Sequence, residues 1–339
     1  MIKKLKTKHA ELASLFSKAR PFLVKGTYRI APSEKYFWLA GTKKEAKHYG
    51  NTHGVRTPMA KRFVLPFFFF KSSGGEKAFG RMALISPLGK ITIIGEKTDP
   101  VAYVFPDFES RESIEGFFRN YRLIQPYLFL PQIIWTDEED KAFATSFIEG
   151  QHPFMSITDL LGLLSASAAA MIEKEPASVR SIAPKKGSLA FALTTSPLPY
   201  FLQHGDVHKN NLLAKPGEKP SFIDFELLGF HPAGFDMLSL ILEPILEGRK
   251  AGEKSILTFL EGSYDSYFGK VFTALKTPFG QEDRDKYLAF AICEVFDRYE
   301  GKVQISRAGA EKRIGTILET LPLETLPWCK KLDRVIHHR

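Results

Sequence analysis

The sequence predicts an α+β chain in two parts: an opening helix, short strands and one further helix over residues 1–150, then a mainly helical remainder over 151–339. Three observations carry that reading. Short apolar runs bounded by turn residues recur as far as Phe105, helix-length apolar periodicity dominates after Gly150, and between them in character lies a stretch of short apolar segments ending in carboxylate-bearing turns, Tyr200 to Glu226. With 339 residues, 44% hydrophobic and 25% charged, the chain has enough material for two cores and the balance of an ordinary globular protein.

Leu5, Leu12, Leu15 and Phe16 recur at helical spacing and predict an opening helix over Lys3 to Lys18. Strands are expected at Thr27 to Ala31, Tyr36 to Ala40, Phe63 to Lys71, Arg81 to Ser86, Lys90 to Glu96 and Val101 to Phe105, with Pro87-Leu88-Gly89 as a turn. Ser110 to Ile124 reads as a helix, and Lys141 to Ile148 as a strand leading into a linker. The aromatic run Phe67 to Phe70, flanked by Lys61, Arg62 and Lys71, could offer stacking rings to a nucleic acid. Alternate strand residues face opposite sides, however, so a strand buried on both faces is the simpler reading.

Beyond Gly150, Ser156-Ile-Thr-Asp159 has the form of a capping box, with Asp in place of Glu, at the head of a helix running to about Glu175. Ala177 to Pro199 reads as a loop with one short helix. Helices are then expected over Phe235 to Glu247, Glu253 to Ala274, Gln281 to Tyr299 and Gln304 to Leu321. Two cysteines, Cys293 and Cys329, build no disulfide framework, and the longest apolar block, Phe63 to Phe70, is too short to span a bilayer. The lysine-bearing N-terminus lacks the apolar core of a signal peptide, so the expected location is the cytoplasm.

Charge is uneven along the chain. Residues 1–100 carry 20 Lys or Arg against 6 Asp or Glu, whereas residues 101–300 carry 19 against 28, within an overall balance of +9. A basic first part attracts polyanions, and an acidic remainder attracts cations.

The chemistry is concentrated in His204-Gly205-Asp206-Val207-His208-Lys209-Asn210-Asn211 and, after the turn-rich Ala214 to Pro220, in Phe222-Ile223-Asp224-Phe225-Glu226. Gly205 permits a tight bend that exposes the Asp206 carboxylate. Two short strands joined by the polar gap would set Asn211 beside Asp224, an amide and a carboxylate of the hard-oxygen type that magnesium accepts alongside phosphates and water. His204 reads as a hydrogen-bonding support of the loop, and His208 as a support or a phosphate neighbour. As a His-x3-His pair they would serve zinc best on a helix, and this segment reads as a loop.

On these residues the sequence resembles the aminoglycoside phosphotransferase and choline kinase family, a branch of the bilobal protein-kinase-like fold. His204, Gly205, Asp206 and Asn211 match its HGD-x4-N pattern, His208 its usual second histidine, and Asp224-Phe225-Glu226 its later Asp-aromatic-Glu pattern. The resemblance implies ATP and Mg2+ as cofactors, Asp206 as catalytic base assisted by His204 and His208, and Asn211 and Asp224 as metal ligands. Glu226 is implied either to support a second metal or to hold a lysine. It further implies a brace on the catalytic loop from Asp236, an adenine-binding linker at Phe147, Ile148, Glu149 and Gly150, and a small-molecule hydroxyl acceptor in the helical lobe.

One departure stands out. The family fold pairs a strand lysine with a helix glutamate, yet Val101 to Phe105 holds no lysine for Glu112 or Glu115 to meet. Lys90 or Lys97 from the preceding hairpin is the candidate substitute. This gap keeps a nucleotide-binding regulatory or scaffold protein in view as an alternative, and the basic first hundred residues keep a polyanion-binding protein as another. Asp265, Glu294 and Asp297 are candidate carboxylates for a cationic acceptor.

Overall fold

The computed structural model describes residues 13–31, 37–40, 69–85, 90–95, 100–104, 114–152, 155–215, 217–246, 252–299 and 307–338. The chain divides into two compact units, one of residues 1–115 with 131–149 and the other of 116–130 with 150–339.

Among the described residues the first unit has eight strands: β1 (Gly26–Ala31), β2 (Phe37–Ala40), β3 (Phe69–Ser72), β4 (Met82–Ile85), β5 (Ile91–Ile94), β6 (Val101–Val104), β7 (Ile133–Asp137) and β8 (Ala142–Thr145). They form one sheet in the order β3-β1-β2-β4-β5-β6-β8-β7, every neighbouring pair antiparallel. Helix α1 (residues 13–19) runs into a 3-10 turn, Arg20–Phe22, and presents Phe16, Ala19 and Phe22 to Tyr28, Ile85, Ile91, Ile93 and Ala102 of the sheet. Trp135, from the far edge strand, meets Phe22 and Phe79 edge-on or tilted, at 6.2 and 5.0 Å between ring centroids. Lys77 adds ion pairs to Asp137 and, at 2.7 Å, to Asp140, which hold the Asp137 carboxyl below its usual range. These contacts tie the loop between β3 and β4 to the edge strand β7 and the turn that follows it.

The second unit comprises α2 (Ile114–Leu128, from Gly116 onward), α3 (Ile157–Lys174), β9 (Val179–Ile182), α4 (Leu189–Leu193), β10 (Leu198–Gln203), β11 (Leu212–Leu213), β12 (Ser221–Phe222), β13 (Gly229–Pro232), α5 (Phe235–Leu246), α6 (Gly252–Leu260), α7 (Asp265–Ala274), α8 (Gln281–Tyr299), α9 (Arg307–Leu318) and α10 (Pro327–His337). Strand β10 lies between β13 and β9 in a three-stranded sheet, and β11 pairs with β12 in a hairpin. The capping box at the head of α3 is formed: Asp159 N donates to Ser156 Oγ at 3.2 Å, and Ser156 N to the Asp159 carboxylate at 3.2 Å. Among the described residues no helix is long and apolar enough to cross a membrane.

Strands β1, β2, β4, β5 and β6 and helices α3, α5 and α8 lie within two residues of their expected bounds, whereas the helix expected over Ser110 to Ile124 is described over Ile114–Leu128 and the strand expected over Lys141 to Ile148 is shortened to Ala142–Thr145. Residues 3–12 of the expected opening helix, 63–68 of the strand expected over Phe63 to Lys71 and 110–113 lie outside the described residues. The helix expected over Glu253 to Ala274 is two helices, because Gly262 adopts φ +90° and Arg284 wedges there, donating to Leu260 O at 2.6 Å and forking onto Asp265 at 2.6 and 2.8 Å. Ala177 to Pro199 contains β9 as well as a short helix, and β7, β13 and α10 were not foreseen. Of the aromatic run, Phe69 on the edge strand β3 is 54% exposed and Phe70 stacks on Phe16 at 4.8 Å, so this described part of the strand is not buried on both faces, and Phe68 lies outside the described residues. Phe67, the Pro87 turn, Lys97 and Glu112 lie outside the described residues.

Phe22 is fully buried at the centre of the first unit's core. Phe22→Ala is expected to cost about 3–5 kcal/mol in that unit, read as a lowered urea midpoint by circular dichroism; an unchanged midpoint would mean that α1 is not integral to the sheet.

Candidate active site

Strand β10 carries an apolar run through the centre of its sheet and stops at Gln203, where the chain must turn with its amides still buried. Gly205 makes the turn at φ +85°, and a Cβ there would collide with Leu227 O and lie 2.6 Å from His231 Nε2. The two N–H groups of the turn converge on one side chain. His204 N donates to Asp236 Oδ2 and Gly205 N to Asp236 Oδ1, each at 2.8 Å. Asp236 stands in the first turn of α5, where the helix dipole favours a carboxylate, and its own N–H donates to Gln203 Oε1 at 2.9 Å. Gln203 is anchored in turn by donating to the carbonyls of His231 and Pro232.

His204 is fully buried. Its Nε2–H donates to Ile223 O at 3.0 Å and its Nδ1 accepts from Asp206 N at 3.3 Å, so one neutral tautomer satisfies both ends. Burial holds its pKa below the ordinary 6.5, outweighing the opposite pull of Asp236, Asp206 and Asp224. The ring thereby ties the Asp206 turn to the strand end that bears Asp224.

Asp206 is partly exposed. Asn211, 4% exposed, donates through Nδ2 to Asp206 O at 2.9 Å and to Asp206 Oδ2 at 3.2 Å, which leaves its own Oδ1 as the remaining ligand atom. His208 caps the 3-10 turn Lys209–Asn211 by accepting from Asn210 N at 3.3 Å on Nδ1, and its Nε2 lies 3.8 Å from Asp206 Oδ2. Across the hairpin, Leu212 opposes Phe222 and Ile223 N donates to Asn211 O at 2.9 Å. Asp224 follows directly, at φ +63°, a left-handed conformation that Asp tolerates better than most residues. Phe225 is buried with its ring edge-on to Tyr121 of α2 at 4.8 Å, and Glu226 is partly exposed.

The second unit thus brings His204, Asp206, His208, Asn211 and the Asp224 segment together. Lys90, Phe147, Ile148 and Glu149 belong to the first unit. Lys90 is 6% exposed at the start of β5, with its ammonium 5.7 Å from the ring centroid of Tyr103 on β6. Phe147 is 40% exposed, and residues 146–150 adopt no regular secondary structure. Lys97 is outside the described residues. Of the carboxylates considered for a cationic acceptor, Asp265, partly exposed, is held by Arg284, and Glu294, buried, is held by His231.

Gln203, His231 and Glu294 were not singled out as parts of this site from sequence. The available signal was compositional: each interrupts an apolar run, and a polar side chain so placed is buried with partners.

Residues 183–262, which include both turns and Asp236, match the model of the APH phosphotransferase enzyme family. The stretch that bears the candidate site is therefore similar to a family of phosphotransferase enzymes. No curated protein matches the chain in sequence. Solved structures with a related fold include a choline/ethanolamine kinase family protein of Mesorhizobium loti, at 14% identity over 73% of this chain and 90% of that one with a TM-score of 0.43. Another is the choline kinase LicA of Streptococcus pneumoniae, at 12% identity over 68% and 89% with a TM-score of 0.43. A spectinomycin phosphotransferase is similar at 11% identity over 74% and 85%, with a TM-score of 0.36.

Because His204 is neutral in the fold but protonates near its ordinary pKa when unfolded, stability is full above about pH 6.5 and falls on acidification, until the lower folded-state pKa is passed. The contribution is at most about 1.4 kcal/mol per pH unit. Urea unfolding between pH 7 and pH 5 is expected to show this slope and His204→Gln to flatten it; equal slopes would place a different group in control.

Proposed function

We propose that the chain is an ATP- and Mg2+-dependent phosphotransferase that acts on a hydroxyl of a small molecule. The observation that carries this reading is the pair of hydrogen bonds that Asn211 Nδ2 donates to Asp206 O and Oδ2, formed while the Asn211 backbone carbonyl accepts from the residue before Asp224. It gathers a base and two oxygen ligands on adjoining turns.

In this reading Asp206 accepts the proton of the acceptor hydroxyl as its oxygen bonds to the γ-phosphorus of ATP and the bond to ADP breaks. Asn211 Oδ1 and Asp224 fit a magnesium ion, which needs one or two protein oxygens and, when bound, would neutralise the phosphates. A thiolate- or imidazole-rich metal does not suit that donor set, and among the described residues no three His, Cys, Asp or Glu side chains cluster as metal ligands. His208 offers Nε2–H to the transferring group, His204 holds the loop, and Glu226 supports a second metal or a lysine. The first unit supplies the nucleotide contacts, with the backbone of Phe147 to Glu149 for the base and Lys90 as phosphate cation in place of a strand lysine. The acceptor is a small molecule, cationic if the acidic stretch of residues 101–300 selects it, and the cytoplasm is the location we propose.

Asp206→Asn is expected to lower ATP consumption by about 10²- to 10⁴-fold across a panel of amino alcohols, aminoglycosides and sugars, with ATP affinity by calorimetry nearly unchanged. Full turnover in that variant would remove Asp206 as base. Lys90→Met is expected to weaken ATP binding by about tenfold or more, the loss of one charge-assisted contact; unchanged affinity would assign the phosphates to another cation. ATP binding without consumption against any acceptor would instead fit a nucleotide-binding scaffold, the reading favoured by the lysine-free β6.

A further inference from the structure

Beneath Gly205 lies a buried pair that none of the proposed chemistry uses. His231 on β13 directs Nε2 to Leu227 O at 2.8 Å and Nδ1 to Glu294 Oε1 of α8 at 3.1 Å. Both residues are buried, and the His231 ring stacks on Phe235, the residue before Asp236, at 5.0 Å and 19°. The same histidine gives its carbonyl to Gln203 Nε2, and its Nε2 sits where a side chain on residue 205 would begin. Four segments meet at one ring: the end of β10 with its Asp206 turn, the turn after Asp224, the start of α5, and α8.

We propose that His231 and Glu294 are positioning residues that set the Asp206 turn against the Asp224 turn; the inference rests on the phosphotransferase reading and adds a support to its site. Leu227 O can only accept, so Nε2 must carry a proton. Nδ1 and the Glu294 carboxyl then share one further proton between them, and the contact holds only while each partner is present. Removing the carboxyl leaves Nδ1 buried without that acceptor, and the ring is free to leave Leu227 O or shift away from Gly205. Glutamine at 294 can still satisfy the ring, because its amide N–H donates to an unprotonated Nδ1 while Nε2–H stays on Leu227 O.

The test uses the full chain and two readouts: hydrogen exchange by mass spectrometry over residues 203–207 and 224–229, and ATP turnover with the acceptor that supports most consumption. Glu294→Ala is expected to speed exchange in both segments by about tenfold and to lower kcat by a similar factor with the KM for ATP within about threefold. Glu294→Gln is expected to stay within about threefold of the parent in both. Ile292→Ala, a buried apolar truncation on the same helix, is expected to lower the melting temperature without selective loss of protection in these two segments. If Glu294→Ala does not fold, Glu294→Leu takes its place with the same expectation. Parental exchange in both segments for the Ala or Leu variant, failure of Gln to restore protection, or an equal selective effect from Ile292→Ala would overturn the proposal. Exchange does not depend on phosphoryl transfer, so an absence of ATP consumption with every acceptor would sink the enzymatic reading while leaving the exchange result to be judged by itself.

Discussion

One carboxylate organises the site. Two consecutive backbone N–H groups, those of His204 and Gly205, point the same way because Gly205 takes a left-handed conformation, and they form a small anion-binding concavity. Asp236 fills it from the first turn of α5. The bonds are charge-assisted and buried, so each is stronger than a surface contact and costly to leave unmade. Gln203 orients the acid from one side, and Asp206 therefore owes its place to a residue thirty positions further along the chain.

From that fixed turn the remaining groups follow by short steps. His204 reaches Ile223 O, Asn211 reaches back to Asp206, and the Ile223 amide reaches Asn211 O, so both motif segments are stitched together by backbone and buried side chains. The left-handed Asp224 then breaks the strand direction and begins the turn toward Leu227 and His231. Strain at a non-glycine residue is tolerated where the surroundings over-determine it, and here the buried Phe225 ring against Tyr121 holds the next residue in place.

How much of this the sequence declared depended on distance along the chain. The His-Gly-Asp turn, the Asn211 to Asp224 hairpin and the Ser156 capping box are local, and turn chemistry names them directly. Strands β1, β2, β4, β5 and β6 were legible from short apolar runs. The break at Gly262 was not, because the guanidinium that wedges it comes from Arg284 on a later helix. The exposure of Phe69 depends on β3 lying at a sheet edge, a matter of strand order that composition does not encode. His231 and Glu294 are sixty-three positions apart, and only their isolation within apolar runs hinted at burial. The strand that should carry a lysine remains the clearest mismatch with the resembled family, and Lys90, held over Tyr103 on the adjoining strand, is the candidate that the first unit offers in its place.

The claim with most resting on it is that the Asp236 clamp sets two oxygen ligands around a divalent ion. Titration of manganese(II) with ATP, followed by electron paramagnetic resonance, addresses it without knowledge of the acceptor. The account predicts one nucleotide-dependent ion per chain, weakened about tenfold or more in Asn211→Ala and in Asp224→Ala, and weakened also in Asp236→Asn, which removes no ligand. Undiminished binding in both ligand variants would contradict it.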